Sequence, residues 1–356
     1  VKLRFAVLFY FMNDMRLAVV VLAAGEGTRM KSSLPKVLHQ VCGWPMLGHV
    51  LAIADALDAA ETVMVVAEET LDPIRQTFGN HYRYTTQAER LGTGHALLQA
   101  RDLLLNAADD VLILFGDTPL FRSETARSLV ASRRDHQALL ALLSFRPNVP
   151  TGYGRVLRDS ESHVTGLVEE RDATPAQRLV GECNSGMMCI QAKWLWETLP
   201  QVPRSPIKGE YYLTDLVAMA VAAGGSGAVI AIEAADHQEA LGVNDRVQLA
   251  QANRVMRQRI LDILMRDGIT VIDPDTTYVD AGVTIGRDTT LLPGTLLSGR
   301  TNVGASCMIG PYATLKDTLV GAGARVRYAL LEGVTINPGA DIEPFSHHIG
   351  ERRSAE

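Results

Sequence analysis

The chain has 356 residues, 47% of them apolar, with a formal charge of −6 and a pI near 5.9. That length suffices for two domains with cores of their own, and the acidic balance gives no electrostatic reason to bind nucleic acid or an anionic membrane, so an anionic ligand must meet a local basic site. Cys42, Cys183, Cys189 and Cys307 are widely spaced and form neither a CxxC pair nor a Cys/His ligand set, which points to buried free thiols in a reducing compartment, the cytoplasm.

At the start, Lys2 and Arg4 precede an apolar stretch from Phe5 to Met12, but Asn13 and Asp14 follow where a small-residue cleavage site would stand. The stretch is also too short to span a bilayer. Residues 1–14 are therefore expected to be an N-terminal extension, with a compact domain covering 15–245. Apolar runs recur at LAVVVLAA (17–24), TVMVVA (62–67), VLILFG (111–116) and ALLALLS (138–144), separated by stretches with helical spacing at 46–60 and 94–106. Such runs alternating with helices predict a parallel sheet covered on both faces, an α/β sandwich of Rossmann-like type. Ligands of such sheets gather beyond the carboxyl ends of the strands, where the glycine turn after residue 24 and the GDTPL turn (116–120) both fall.

Residues 244–268 carry Leu249, Ala252, Met256, Ile260, Ile263 and Leu264 at helical spacing and end in Gly268, which predicts one long helix over 246–268 joining two domains. A different rule then takes over. Ile285, Leu291, Leu297, Val303, Ile309 and Leu315 fall at every sixth position, each preceded two residues earlier by Val283, Thr289, Thr295, Thr301, Cys307 or Ala313. The phase slips and resumes at Val320 and Val326, then at Leu330, Ile336 and Ile342. Period six with a small or β-branched residue at a fixed offset predicts a short left-handed parallel β-helix over 269–349, about eighteen residues per coil, before a polar tail at 350–356.

The segment GEGTRMKSSLPK (25–36) invites three phosphate-loop readings. A P-loop needs GxxxxGK[ST] and a dinucleotide fingerprint needs GxGxxG, and neither fits. What remains is either an ordinary strand-to-helix connection or a turn whose backbone N–H groups receive phosphate oxygens while Arg29 and Lys36 supply positive charge. Taken alone, Asp117 after a strand and Asn244 before a helix read as a turn residue and an N-cap.

LAAGEGTRM…LPK resembles the signature of sugar-nucleotide pyrophosphorylases. QAERLGTGHA (87–96), FGDTPL (115–120), TGYGR (151–155), GLVEERDA (166–173), ECNSG (182–186), GEYYLTD (209–215) and GVNDR (242–246) follow in the order of one branch. That branch is the bifunctional N-acetylglucosamine-1-phosphate uridylyltransferase/glucosamine-1-phosphate acetyltransferase family, and the resemblance covers about residues 17–345. It implies nucleoside contacts from Leu22, Ala23, Ala24 and Gly25, a triphosphate facing Arg29 and Lys36, and a uracil met by Gln87, Gly92 and Thr93. Phe115, Gly116 and Asp117 would line the site, with Phe115 standing where a tyrosine is common. Asp117 and Asn244 would hold Mg²⁺, a cation content with one or two protein oxygens when phosphates and water supply the rest. Gly154, Glu169 and Asn184 would receive the sugar, and Tyr153 would stack or pack nearby.

The implied substrates are UTP and N-acetylglucosamine 1-phosphate, and the implied product, UDP-N-acetylglucosamine, serves cell-envelope polymers such as peptidoglycan and lipopolysaccharide. In this family the acetyltransferase site lies in β-helix coils beyond residue 356. His347 and His348 are thus read as a terminal polar cap, and the expectation is uridylyl transfer without acetyl transfer, the β-helix serving a homotrimer. Two alternatives stand beside it: a pyrophosphorylase for another pair such as glucose 1-phosphate or dTTP, and an inactive β-helix scaffold.

Overall fold

A computed structural model describes residues 15–206 and 209–350. The expected extension at 1–14 and residues 351–356 of the expected polar tail lie outside the described residues. The chain divides into two units, one formed by the chain up to His39 with Met46–Arg246, the other by Gln40–Pro45 with the chain from Val247 onward.

The first unit is built on a nine-stranded sheet among the described residues. Its strands are β1 (Leu17–Ala23), β2 (Glu61–Ala67), β3 (Arg83–Gln87), β4 (Asp110–Phe115), β5 (Leu140–Phe145), β6 (Arg155–Arg158), β7 (Val164–Val168), β8 (Cys183–Gln191) and β9 (Val229–Glu233). The main path runs β9-β5-β8-β4-β1-β2-β3, and the β6-β7 hairpin joins it at β8. The helices that cover it are α1 (Met46–Ala56), α2 (Thr93–Leu98), α3 (Ser123–Asp135) and α4 (Asp215–Gly224). Successive strand residues point to opposite faces, so Val19 and Val21 pack with Leu47, Val50 and Leu129 of α1 and α3. Ala18, Val20 and Leu22 pack with Leu97 of α2 and Leu216 of α4. Burial on both faces is what makes β1 an unbroken apolar run.

The sheet is mixed where a parallel one is expected. β8 runs antiparallel between β4 and β5. Its segment CNSGMMCIQ lacks the β-branched run that marks the other central strands, and the register shifts between Asn184 and Met188. β1, β2, β3 and β4 remain mutually parallel. Their carboxyl ends, at Ala23, Ala67, Gln87 and Phe115, therefore open on one edge of the sheet, and the site forms there.

A charged triad lies at the other end of β4. Asp110 is fully buried, with Arg134 Nε donating to its Oδ2 at 2.7 Å and Arg133 Nη2 at 2.7 Å from its Oδ1. The Arg133 contact is too bent for a hydrogen bond, so it acts through charge.

In the second unit, helix α5 (Arg246–Arg266) buries Leu261 in one core with Ile269, Leu291 and Leu297, and packs Ile260 and Leu264 against it. Ile263 points to solvent instead, 57% exposed, because the helix is amphipathic about Leu261, which the spacing read from the sequence left out. The β-helix stacks three parallel sheets, shown by Ile285↔Val303, Leu297↔Leu315 and Ile309↔Val326. The fixed small positions have a plain cause. Thr295 and Thr301 are fully buried at corners, and their hydroxyls donate to the carbonyls of Leu292 and Ser298, each at 2.7 Å. A β-branched side chain with a hydroxyl fills the corner and satisfies a backbone acceptor that burial would leave without water.

One expected position is corrected: Leu330 faces outward and Leu331 is the buried residue, stacked on Leu315. The coil between them is two residues shorter than the one from Leu297 to Leu315, and Ile336 follows Leu331 by only five residues, so a count of six carried back from Ile336 lands one residue early.

Candidate active site

The turn after β1 is shaped by absent side chains. At Gly27, whose φ is 67°, a Cβ would lie 2.7 Å from Cβ of Lys36, so the turn closes on residue 36 only with glycine there. A single 3-10 turn, Thr28–Met30, follows; Met30 is buried and its carbonyl accepts from Arg246 Nε at 3.0 Å. Arg29 beside it stays on the cavity wall. A second 3-10 turn, Lys36–Leu38, buries Val37 and Leu38 and leaves the Lys36 side chain to reach across the site. Its Nζ lies 2.5 Å from Asp117 Oδ2 and 3.0 Å from Asn244 Oδ1. Asp117 directly follows the end of β4 and Gly116, and its carbonyl accepts from Val243 N at 2.8 Å, which brings the 242–246 segment alongside. Gly116 permits close packing, since a Cβ there would stand 3.1 Å from Val37 and 3.2 Å from Ala23.

At the end of β3, Gln87 is buried and its amide donates to the Gly92 carbonyl at 3.1 Å, 3.0 Å from Nδ1 of His95. Gly92 has a φ of 100°, and a Cβ would lie 2.6 Å from the Tyr211 carbonyl oxygen. Leu91 accepts from Tyr211 N at 2.7 Å, Gly94 N donates to Tyr211 O at 2.8 Å, and Thr93 Oγ1 accepts from Leu213 N at 3.0 Å. The GEYYLTD motif is thus the brace that holds residues 91–94. Gly92→Ala combines a strained φ with a backbone clash, so we expect the first unit to lose about 1–3 kcal/mol of stability and melt at a lower temperature, measured by thermal unfolding.

Across the cavity, Asn184 N donates to the Gly154 carbonyl at 2.9 Å, and Thr214 Oγ1 donates to Glu169 Oε1 at 3.0 Å. The Asn184 carbonyl oxygen accepts from Gly186 N at 3.1 Å, which fixes its amide plane. A Cβ on Gly154 would be 3.7 Å from Glu169 Oε2 and 3.8 Å from Cβ of Asn184, so the three residues form one cluster. Tyr153 packs edge-on to Phe145, with ring centroids 4.9 Å apart.

These parts enclose a cavity of about 670 Å³, into which Leu22, Ala23, Ala24, Gly25, Arg29, Lys36, Gln87, Gly92, Thr93, Phe115, Asp117 and Glu169 all face. Gly116, Gly154 and Asn244 stand one contact behind its wall rather than on it, and Asn184 lies against Gly154, off the wall as well. The cavity wall carries both signs of charge. Arg29, Lys36 and Arg90 lie on the loops after β1 and β3, Glu169, Glu170 and Arg171 follow β7, and Glu210 stands beside Gly92. Arg90, Glu170, Glu210 and Tyr212 were not singled out by sequence reasoning; their only signal is that they lie inside the quoted motifs. Glu170 is held by buried Arg155, whose Nη2 is 2.6 Å from its Oε2.

Among the described residues no group of three or more His, Cys, Asp or Glu could hold a metal ion. Asp117 and Asn244 do converge on one positive centre, the Lys36 ammonium, and two neighbouring oxygens suit a hard cation that takes the rest of its shell from other oxygen donors.

A mixed α/β sheet whose parallel strand ends bring Arg29, Lys36 and Arg90 together around a glycine turn fits the nucleotidyltransferase class. Residues 19–180 match the MobA-like NTP transferase domain. The chain is 40% identical to the bifunctional protein GlmU of Enterococcus faecalis over 92% of its own length and 71% of that protein. With the bifunctional protein GlmU of Thermobifida fusca it shares 45% identity over 90% of its own length and 67% of that protein. It belongs to the GlmU family. A Bacillus anthracis crystal structure described as a glucose-1-phosphate thymidylyltransferase in complex with sucrose shares the fold, with a TM-score of 0.56 at 18% identity, over 67% of this chain and 94% of that one.

Proposed function

We propose that the protein transfers a uridylyl group from UTP to N-acetylglucosamine 1-phosphate, releasing pyrophosphate. The observation that carries this reading is the Lys36–Asp117–Asn244 cluster beside the glycine turn, at a cavity lined by both cationic and carboxylate side chains. In such a transfer a sugar-phosphate oxygen attacks the α-phosphorus of UTP in line and the bond to the β-phosphate breaks, so the protein must bring two anions together and neutralise them. Arg29 and Lys36 supply charge where the triphosphate would lie, and Gln87 offers an amide to the base edge. Glu169 accepts from sugar hydroxyls. Mg²⁺, held by Asp117 and Asn244, would add charge neutralisation at the phosphates. No nucleophile with a base and an orienting partner is required, because attack comes from the substrate phosphate itself.

The same proposal assigns no acetyl transfer to residues 1–356: His347 and His348 sit on an exposed strand, His347–Ile349, at the end of the described β-helix. It gives the β-helix a role in forming a homotrimer, motivated by outward-facing Leu296, Met308, Leu319 and Leu330, which sedimentation would check. Four free thiols, all buried, support a cytoplasmic location, and among the described residues no helix is long and apolar enough to cross a membrane.

The test is pyrophosphate release with Mg²⁺, UTP and N-acetylglucosamine 1-phosphate, beside glucose 1-phosphate, dTTP and acetyl-CoA arms. Release confined to the first pair is expected. Release with another pair alone moves the specificity, acetylation of glucosamine 1-phosphate overturns the second assignment, and no release at all favours a scaffold.

A further inference from the structure

Three parallel strands end side by side at the nucleotide end of the cavity, in the order β1-β2-β3. From beyond the end of β3, Arg90 reaches back over the end of β2 to β1. Its Nε donates to the Ala24 carbonyl at 3.2 Å, and its Nη2 donates to Glu69 Oε1 in the turn that follows β2. The side chain lies on the wall of the main cavity and of a second cavity of about 490 Å³ behind the turn. Ala24 is buried but carries only a methyl group, and the segment it opens runs exposed at Gly25 and Glu26, where a Cβ on Gly25 would meet nothing within 4 Å. Backbone groups of such a segment recognise a ligand well only if they are already in place when it arrives. The tie at Ala24 does that, and the rigid fork of a guanidinium lets separate nitrogens bond the carbonyl and the carboxylate together.

We infer that Arg90 is a positioning residue for the nucleotide-binding turn, with Glu69 holding its guanidinium, and that the pair sets affinity for the nucleoside triphosphate and not for the sugar phosphate. This rests on the function proposed above. Arg90→Gln, Arg90→Lys and Glu69→Gln are compared with the parent chain by calorimetric titration of UTP without sugar phosphate, by steady-state kinetics and by thermal unfolding. Loss of a charge-assisted hydrogen bond predicts about a tenfold weaker UTP dissociation constant and KM in Arg90→Gln. Shifts of the same sign but smaller are expected in the other two, with KM for the sugar phosphate and the melting temperature unmoved. A UTP constant in Arg90→Gln equal to the parent's overturns the inference, as does an equal loss for both substrates together with a lower melting temperature. A parent chain that neither binds UTP nor releases pyrophosphate refutes the proposed function itself, whereas a parent that turns over beside an indifferent Arg90→Gln refutes only the role of Arg90.

Discussion

Asp117→Asn is expected to lower pyrophosphate release by about 10²–10³-fold, the cost typical of removing one preorganised electrostatic group from a reaction centre. The side chain follows the last residue of β4 and faces the cavity, and its one short contact is the Lys36 ammonium. Its backbone carbonyl still accepts from Val243 N in the variant, so the Asn244 segment keeps its place. The amide replacement leaves Lys36, whose side chain is 10% exposed, without its counter-ion but still bonded to Asn244 Oδ1. A modest loss of stability, about 1–2 kcal/mol, is therefore consistent with a near-complete loss of turnover. Rate measurements beside a thermal melt separate the two effects, and turnover close to that of the parent would remove Asp117 from the reaction.

Asp110→Ala is expected to act in the opposite way, destabilising the first unit by about 3–5 kcal/mol while the folded fraction keeps its activity. Asp110 is fully buried between Arg133 and Arg134, and Arg134 Nη2 also donates to the Met15 carbonyl at 2.9 Å. Removing the carboxylate leaves two guanidinium groups, at most 16% exposed, without their shared counter-ion and with little solvent to repay the loss. Denaturant unfolding at low temperature measures the change. A variant as stable as the parent would mean that the two arginines find other partners when the carboxylate is gone. Asp110 and Asp117 stand at opposite ends of the same strand region, which makes the pair of variants a direct comparison of a structural carboxylate with one proposed to serve turnover.

Much of this molecule is legible along the chain because two periodicities carry it. The unbroken apolar run of β1 marks a strand buried on both faces, and the sixfold spacing from Ile285 to Leu315 marks stacked coils. Where local spacing is imperfect the reading slips. A count of six carried back from Ile336 puts Leu330 inward, but the step there is five residues, and Leu331 fills the core instead. β8 was not recognised as a central strand, since Met and Cys can pack in a sheet without announcing it through β-branching.

The sequence by itself determined the α/β unit, the β-helix and the turn that carries Arg29 and Lys36, because each rests on contacts between neighbours in the chain or on a repeat that every coil must obey. The tertiary structure alone decided that Lys36 meets Asp117 and Asn244, 81 and 208 residues away, that Tyr211 braces Gly92, and that Arg90 crosses β2 to hold Ala24. Those pairings depend on strand order in the sheet. Strand order follows from how buried faces and crossover connections pack in three dimensions, and no local pattern of residue types records it.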